Sequence, residues 1–402
     1  MMRRSTRLSS KKVVKSVSLP EVILIEILLR LPVRTLLRCK CVSKDWFELL
    51  SSQYFVQLHL NHAHANSIVV FTSGERYSLV VGRSFEYERN GIKTCYKTEF
   101  PYYTSVVASC NGFVCLWDYC QSLVILCNPA TREHIKVRHC LKIHPSRFSL
   151  GFGHDPVTNT YKVVAIKNAR YSCTLDDGSG EAYVYTLGTK KWRKFSTSTS
   201  LCLFGVYNVP YVNGALHWMF QSKTPVKTQC ADSIIAFHLG KEEFREIPWI
   251  QTSIANQSYQ TEEVCLGELQ GCLSLFYTSY NGVTHIWSMK DYGIQESWMK
   301  LHSFMVPSRC VNPSYIKPLF IQRNSDILFE LIGWLKLDWN HVNKYLYTYN
   351  RTNNNVRQYR QCELDCDGVY TYVESLVSIP TDAKLSKRRS ERNRRPPDRL
   401  NH

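Results

Sequence analysis

His59, His62 and His64 form the tightest histidine cluster in the sequence, and a zinc centre is the chemistry three such imidazoles could support. No carboxylate or cysteine stands within ten residues of them, and the surrounding stretch is polar, so they read as a helix end and linker. The sixteen cysteines show no metal spacing: Cys110, Cys115 and Cys120 fall five apart, Cys362 and Cys366 four apart, and no Cys-x-x-Cys pair occurs. They read as reduced, mostly buried thiols of a cytoplasmic or nuclear protein. Asp176-Asp177-Gly178 lacks the further oxygen ligands of a cation loop. Gly151-Phe152-Gly153 runs on into His154-Asp155-Pro156 instead of opening a helix, which removes the phosphate-loop reading. A Gly-x-Ser-x-Gly nucleophile turn is missing too. The expectation is a chain that is not an enzyme and needs no cofactor or metal.

Charge narrows the partners. The chain of 402 residues carries +17 at neutral pH, but residues 1–15 hold +6 and residues 384–402 another +6, leaving +5 on residues 16–383. Most of the excess therefore lies in tails and not on a folded groove, so nucleic acid is not the expected partner. No apolar run of about 18 residues suggests a membrane span, and no apolar segment follows the basic N-terminus as a secretory signal would require.

The elements that remain are of two kinds. From Leu19 to Leu60 the pattern is helical, and it holds more apolar surface than four short helices can hide among themselves. Leu19-Pro20 opens the first helix with Ser18 as the expected cap. Val22, Ile23, Leu24, Ile25, Ile27, Leu28 and Leu29 then surround the axis, so one face can enter a local core while another waits for a partner. Leu31-Pro32 ends this helix, and Leu36, Leu37, Val42, Trp46, Leu49 and Leu50 continue at helical spacing.

From about residue 67 to 380 the period changes to two, with short strands between Gly, Asn, Asp and Thr turns. One hairpin unit recurs, and its bulky anchors Ile135, Trp192, Phe244, Trp298 and Val356 are 57, 52, 54 and 58 residues apart. A second set of strands precedes these hairpins, and two strands from each set make a four-stranded sheet. Five such sheets cover residues 108–362, and strands near 68–81 and 371–379 supply a sixth shared between the two ends. The expected fold is mainly β with a small α-helical N-terminal domain, the β part being a β-propeller of about six four-stranded blades; a β-sandwich is the alternative. The Asn-Gly turns at 111–112 and 213–214 are expected between strands of different sheets, and the tryptophans between neighbouring sheets.

Leu19-Pro20, Ile27-Leu28, Leu31-Pro32, Leu36, Arg38, Val42-Ser43-Lys44, Trp46 and Phe55 together resemble an F-box. The resemblance implies docking onto a Skp-type adaptor and, through it, a cullin, as part of a ubiquitin-protein ligase. It implies adaptor contacts at Leu19, Pro20, Ile27, Leu28, Leu31, Pro32, Leu36, Val42 and Trp46. Downstream, Cys110-Asn111-Gly112, Asn128-Pro129-Ala130-Thr131-Arg132, Gly151-Phe152-Gly153, Tyr161-Lys162-Val163-Val164, Val212-Asn213-Gly214-Ala215-Leu216-His217-Trp218 and Glu296-Ser297-Trp298 resemble a plant F-box-associated, kelch-like domain.

The expected organisation is a basic tail over 1–15, the helical domain over 16–62, the β-domain over 67–380 and a second basic tail over 381–402. The implied role is a non-catalytic subunit that brings an unidentified target protein to the ligase, with a glycan- or nucleic-acid-binding propeller as the alternative. Lys387, Arg388, Arg389, Arg392, Arg394 and Arg395 form two basic groups of the kind that serve as a nuclear import address, so cytoplasm and nucleus are the expected locations.

Overall fold

A computed structural model describes residues 19–63, 67–72, 78–83, 93–99, 104–138, 148–167, 180–197, 203–204, 209–220, 233–250, 263–279, 282–306, 313–321, 326–335, 338–358 and 366–379. The chain divides into two compact units, residues 1–62 and 63–402. Ser18, His64, the Asp176-Asp177-Gly178 loop, Cys362 and both basic tails, with the six import-candidate residues, lie outside the described residues.

The first unit is four helices: α1 (Glu21–Leu29), α2 (Val33–Cys39), α3 (Lys44–Ser51) and α4 (Gln53–His62). Pro20 and Pro32 occupy the N-cap positions of α1 and α2, where a missing N–H costs nothing, so the cap of α1 is Pro20 and not Ser18 as expected. Ser43 caps α3 by accepting from the Trp46 N–H at 3.2 Å, and Ser52 caps α4 by accepting from the Phe55 N–H at 3.1 Å.

The second unit consists of antiparallel strands in six sheets among the described residues. The C-terminal strand β25 (Cys366–Tyr372) lies beside β1 (Ser67–Thr72), β2 (Ser78–Arg83) and β3 (Lys93–Glu99). The next sheet is β4 (Thr104–Cys110), β5 (Phe113–Asp118), β6 (Leu123–Asn128) and β7 (Glu133–Arg138), followed by β8 (Phe148–Asp155), β9 (Thr160–Lys167), β10 (Gly180–Thr186) and β11 (Trp192–Thr197). In the fourth sheet the first position is split between β12 (Leu203–Phe204) and β13 (Tyr211–Val212), both paired with β14 (Ala215–Phe220), and β15 (Ser233–His238) and β16 (Glu243–Ile247) complete it. Pro210 lies at the split, where a residue without an N–H cannot continue a ladder. The last two sheets are β17 (Glu263–Leu269), β18 (Cys272–Thr278), β19 (Val283–Met289) and β20 (Trp298–Met305), then β21 (Pro313–Ile321), β22 (Ile327–Leu335), β23 (Asp338–Asn350) and β24 (Asn355–Gln358).

Neighbouring sheets meet through β25 and β4, β4 and β8, β8 and both β13 and β14, β14 and β17, and β17 and β21, and the sixth returns to the first through β21 against β25. This is a β-propeller, and pairing the chain's last strand with its first strand removes the open edge a sandwich would retain. The closing strand is Cys366–Tyr372, whereas 373–379, expected as part of it, is an extended strap without ladder partners. All five anchors fall on the fourth strand of their sheets, β7, β11, β16, β20 and β24. Trp192 Nε1 donates to the Arg138 carbonyl at 3.0 Å and Trp298 Nε1 to the Pro248 carbonyl at 2.9 Å, so two of the anchors fasten their sheet to the preceding one.

Two expectations need correction. Asn111-Gly112 and Asn213-Gly214 do not join different sheets. Each closes a hairpin within one sheet, β4–β5 and β13–β14, with both residues at positive φ, which is what a two-residue turn between twisted strands demands. Gly151 and Gly153 face the fourth sheet: a Cβ would come within 2.9 Å of Leu216 at the first and 2.5 Å of Tyr211 at the second. The Gly-Phe-Gly motif thus serves close packing of two sheets.

Candidate functional site

Within the helical unit, Leu28, Leu29, Val33, Leu36, Leu50, Phe55 and His59 are buried. His59 is therefore not part of an exposed helix end, as its polar neighbourhood suggested. Its Nε2 donates to the Leu31 carbonyl at 3.1 Å and its ring stacks on Phe55, which ties α4 to the break after α1. His62 Nδ1 bonds the Leu58 carbonyl of its own helix at 2.9 Å. Among the described residues, no group of three or more His, Cys, Asp or Glu is placed to hold a metal.

The outer surface of this small unit is unusually apolar. Leu19, Val22, Ile23 and Ile27 are exposed along one side of α1, Val22 at 72%, while Leu24, Leu28 and Leu29 turn the other side inward. Val42, Phe47 and Tyr54 add exposed apolar area from the later helices. Of the nine residues implied as adaptor contacts, Leu19, Pro20, Ile27, Pro32 and Val42 are exposed, and Leu31 and Trp46 are half-buried. Leu28 and Leu36 are enclosed, so they hold the helices that present this surface and do not form it. Val22, Ile23, Phe47 and Tyr54, which the resemblance does not name as contacts, are exposed as well. Leu19, Val22 and Ile23 share a face through their i, i+3, i+4 spacing.

The propeller contributes a cavity of about 250 Å³ at the centre of its ring. Every sheet lines it, with Asn111, Phe152, Tyr211, Glu268, Lys317 and Tyr370 each coming from a different one. Lys317 is buried, donates to the Val369 carbonyl at 2.9 Å, lies 3.2 Å from the centre of the Tyr370 ring and has Glu330 at 3.9 Å. A buried ammonium compensated in this way is a tie between β21 and β25. Cys110 also lines the cavity, but burial pushes its thiol up to about 12, so it is protonated and a poor nucleophile.

Two further buried polar groups join sheets. Lys162 of the Tyr-Lys-Val-Val motif meets Asp155 and Glu242 at 2.9 Å each and donates to the Leu239 carbonyl, bridging the third and fourth sheets. Burial alone would raise the Asp155 carboxyl, but hydrogen bonds from Thr158, Lys162 and Val157 outweigh it and hold it at about 2. His217 donates through Nδ1 to the Pro210 carbonyl at 3.2 Å and accepts from the Tyr292 hydroxyl at Nε2, 2.7 Å away. Burial lowers its pKa to about 4, so the ring is neutral. Both arrangements are saturated with partners from the chain itself and leave no group poised towards a substrate.

Comparison with known proteins covers both units. Residues 17–58 match the F-box domain model and residues 66–377 match the model of the F-box associated beta propeller domain. The chain is 26% identical to an Arabidopsis thaliana F-box/LRR-repeat protein, over 90% of this chain and 83% of the relative. It is 25% identical to the Arabidopsis thaliana F-box protein CPR1, over 80% and 81%. An F-box/kelch-repeat protein of the same plant is 28% identical, over 80% and 87%.

Proposed function

Since the chain belongs to the family of F-box proteins with an F-box associated beta propeller domain, we propose that it is the substrate-recognition subunit of a Skp–cullin–F-box ubiquitin-protein ligase. The observation that carries this reading is the distribution of exposed large apolar side chains. Seven of the twelve in the described chain, Leu19, Val22, Ile23, Ile27, Val42, Phe47 and Tyr54, lie on the 62-residue helical unit. So many exposed apolar side chains on so small a unit mark a protein interface, and the occupant is a Skp-type adaptor that in turn recruits a cullin.

The propeller holds the target. Its six sheets form a rigid scaffold from which turns and edge strands can project recognition residues. The mechanism is tethering: a target held on one unit while the other is docked raises the local concentration of target lysines near the charged ubiquitin carrier, and this chain itself takes no part in the bond-making step. The basic groups at Lys387–Arg389 and Arg392–Arg395 supply nuclear import, giving the protein access to both cytoplasm and nucleus.

Mass spectrometry of proteins retained by the full chain under proteasome blockade, against a chain lacking residues 1–62, tests this function. Adaptor and cullin disappear from the second sample while targets stay; adaptor retained by the shortened chain overturns the proposal.

A further inference from the structure

Within the second unit one seam is rich in cations. Residues 63–383 carry +4, yet Arg132–Arg138 and Lys190–Lys194 hold +6 between them, so the rest of that interval amounts to −2. These two stretches are β7 with the end of its turn, and the start of β11 with the turn before it. Both strands are the edges of neighbouring sheets, with a ladder partner on one side only. The Trp192 indole, bonded to the Arg138 carbonyl at 3.0 Å, brings them together. Lys136, Arg138, Lys190, Lys191, Arg193 and Lys194 are all exposed.

Among the described residues, Glu181 and Glu242 pair with Lys194 and Arg193 of the seam and lower its +6 to +4, so it stays basic. Glu181 is shared by Lys194 and by Lys167 at 3.6 Å. Glu242 is shared by Arg193 and the buried Lys162. Glu133 accepts from the Ser378 hydroxyl at 2.8 Å and the Ile379 N–H at 2.9 Å. The equivalent edge β16 differs: with its turn it carries Lys241 and Arg245 against Glu242, Glu243 and Glu246.

We propose that the seam of β7 and β11 is the surface on which the propeller docks an acidic, extended segment of its target protein, an inference that rests on the receptor function above. An edge strand offers unpaired N–H and C=O groups that another polypeptide strand can match, and flanking cations then select Asp and Glu side chains on it. A nucleic acid would engage the cations through its phosphates and leave the strand edge unmatched, and a single strand would in addition stack on open aromatic faces, whereas Trp192 is half-buried.

The test uses the full chain and a fluorescent peptide of about twelve residues alternating Glu and Val, with a Gln/Val peptide as control, read by anisotropy. The acidic peptide binds at least about tenfold more tightly than the control and weakens steeply with salt. Lys136→Glu, Arg138→Glu, Lys190→Glu and Lys191→Glu together weaken it at least about tenfold, while Arg351→Glu with Arg357→Glu on the β24 side does not. Where the reversed variant melts early, the same four positions changed to Gln give the same comparison. Equal binding by native and altered chains overturns the proposal. So does a single-stranded oligonucleotide of matching charge that binds more tightly than the peptide. Adaptor co-purification is measured on the same samples: its loss with peptide binding intact counts against the receptor function and leaves the seam standing.

Discussion

Asn128 Nδ2 donates to the Ser375 carbonyl at 3.0 Å and to the Val377 carbonyl at 2.8 Å, so one side chain at the end of β6 holds the strap that follows the closing strand. Its Oδ1 meanwhile accepts from the Ala130 N–H at 3.0 Å and the Tyr372 hydroxyl at 3.2 Å. The Asn of the Asn-Pro-Ala-Thr-Arg motif is thus fully saturated and completely buried, and it latches the ring where its two chain ends meet. Asn128→Asp turns a double donor into an acceptor facing two carbonyls. Leaving those buried groups unpaired costs roughly 2 to 4 kcal/mol, and urea denaturation of the native and altered chains measures it.

Lys162 provides a second test, between sheets. Lys162→Met keeps the volume but leaves Asp155, which has no exposed surface, with an uncompensated negative charge beside Glu242. Breaking a buried pair from one side costs about 3 to 5 kcal/mol. Adding Asp155→Asn and Glu242→Gln removes the stranded charges and recovers most of that loss. A triple variant as unstable as the single one would show that the ammonium acts by packing alone, and thermal melting of the series decides it.

How far these features could be read from the sequence depends on their range. The anchors from Ile135 to Val356 located the outermost strands because the repeat is local: each hairpin is made within about 15 residues and repeats its own register. Closure by the C-terminal segment was legible as strand material left over at both ends. Its division into a paired strand and an unpaired strap was not, because that depends on Asn128 and Glu133 reaching residues some 250 positions away. Asn111-Gly112 was recognised as a turn but placed between sheets, since an Asn-Gly pair specifies backbone geometry and says nothing of which strands it joins. In the helical unit the composition announced an unpartnered face. Which apolar residues occupy it follows from packing, so Leu36 and Leu28 were grouped with Ile27 although only Ile27 is exposed. His59 looked polar and exposed because its carbonyl partner, Leu31, lies on the other side of the unit's sequence.

His217 makes stability depend on pH. Its folded pKa of about 4 lies below the ordinary value of 6.5, so between these limits the unfolded chain binds the proton and the folded chain does not. Stability is therefore complete above about pH 6.5 and falls as pH drops towards 4, by as much as about 3 kcal/mol from this group. His285 and His302, lowered chiefly by burial, add to the fall in the same direction. Urea midpoints at pH 7.5 and 5.0 measure the slope. His217→Gln, which keeps a polar side chain but cannot titrate, should flatten it; an unchanged slope would assign the effect to the other histidines.

The helical surface can be separated from the helical core because the two faces of α1 carry different residues. Val22→Asp with Ile27→Asp changes exposed positions, so the unit should keep its melting temperature. Each charge would nevertheless have to be desolvated against an apolar partner, and burial of each native side chain contributes about 1.5 to 3 kcal/mol, so co-purification of a Skp-type adaptor should fall at least about a hundredfold. Leu36→Ala is the opposite case: it opens a cavity among residues that never reach the surface, costs about 2 to 5 kcal/mol and weakens adaptor binding only through loss of the fold. Leu31→Ala with Pro32→Ala lies between, since Leu31 is half-buried and its carbonyl holds His59. Its effect on binding should therefore come with a measurable loss of helical stability. An adaptor retained at full strength by Val22→Asp with Ile27→Asp would shift the interface from the α1 face to Val42, Phe47 and Tyr54, the exposed apolar side chains of the later helices.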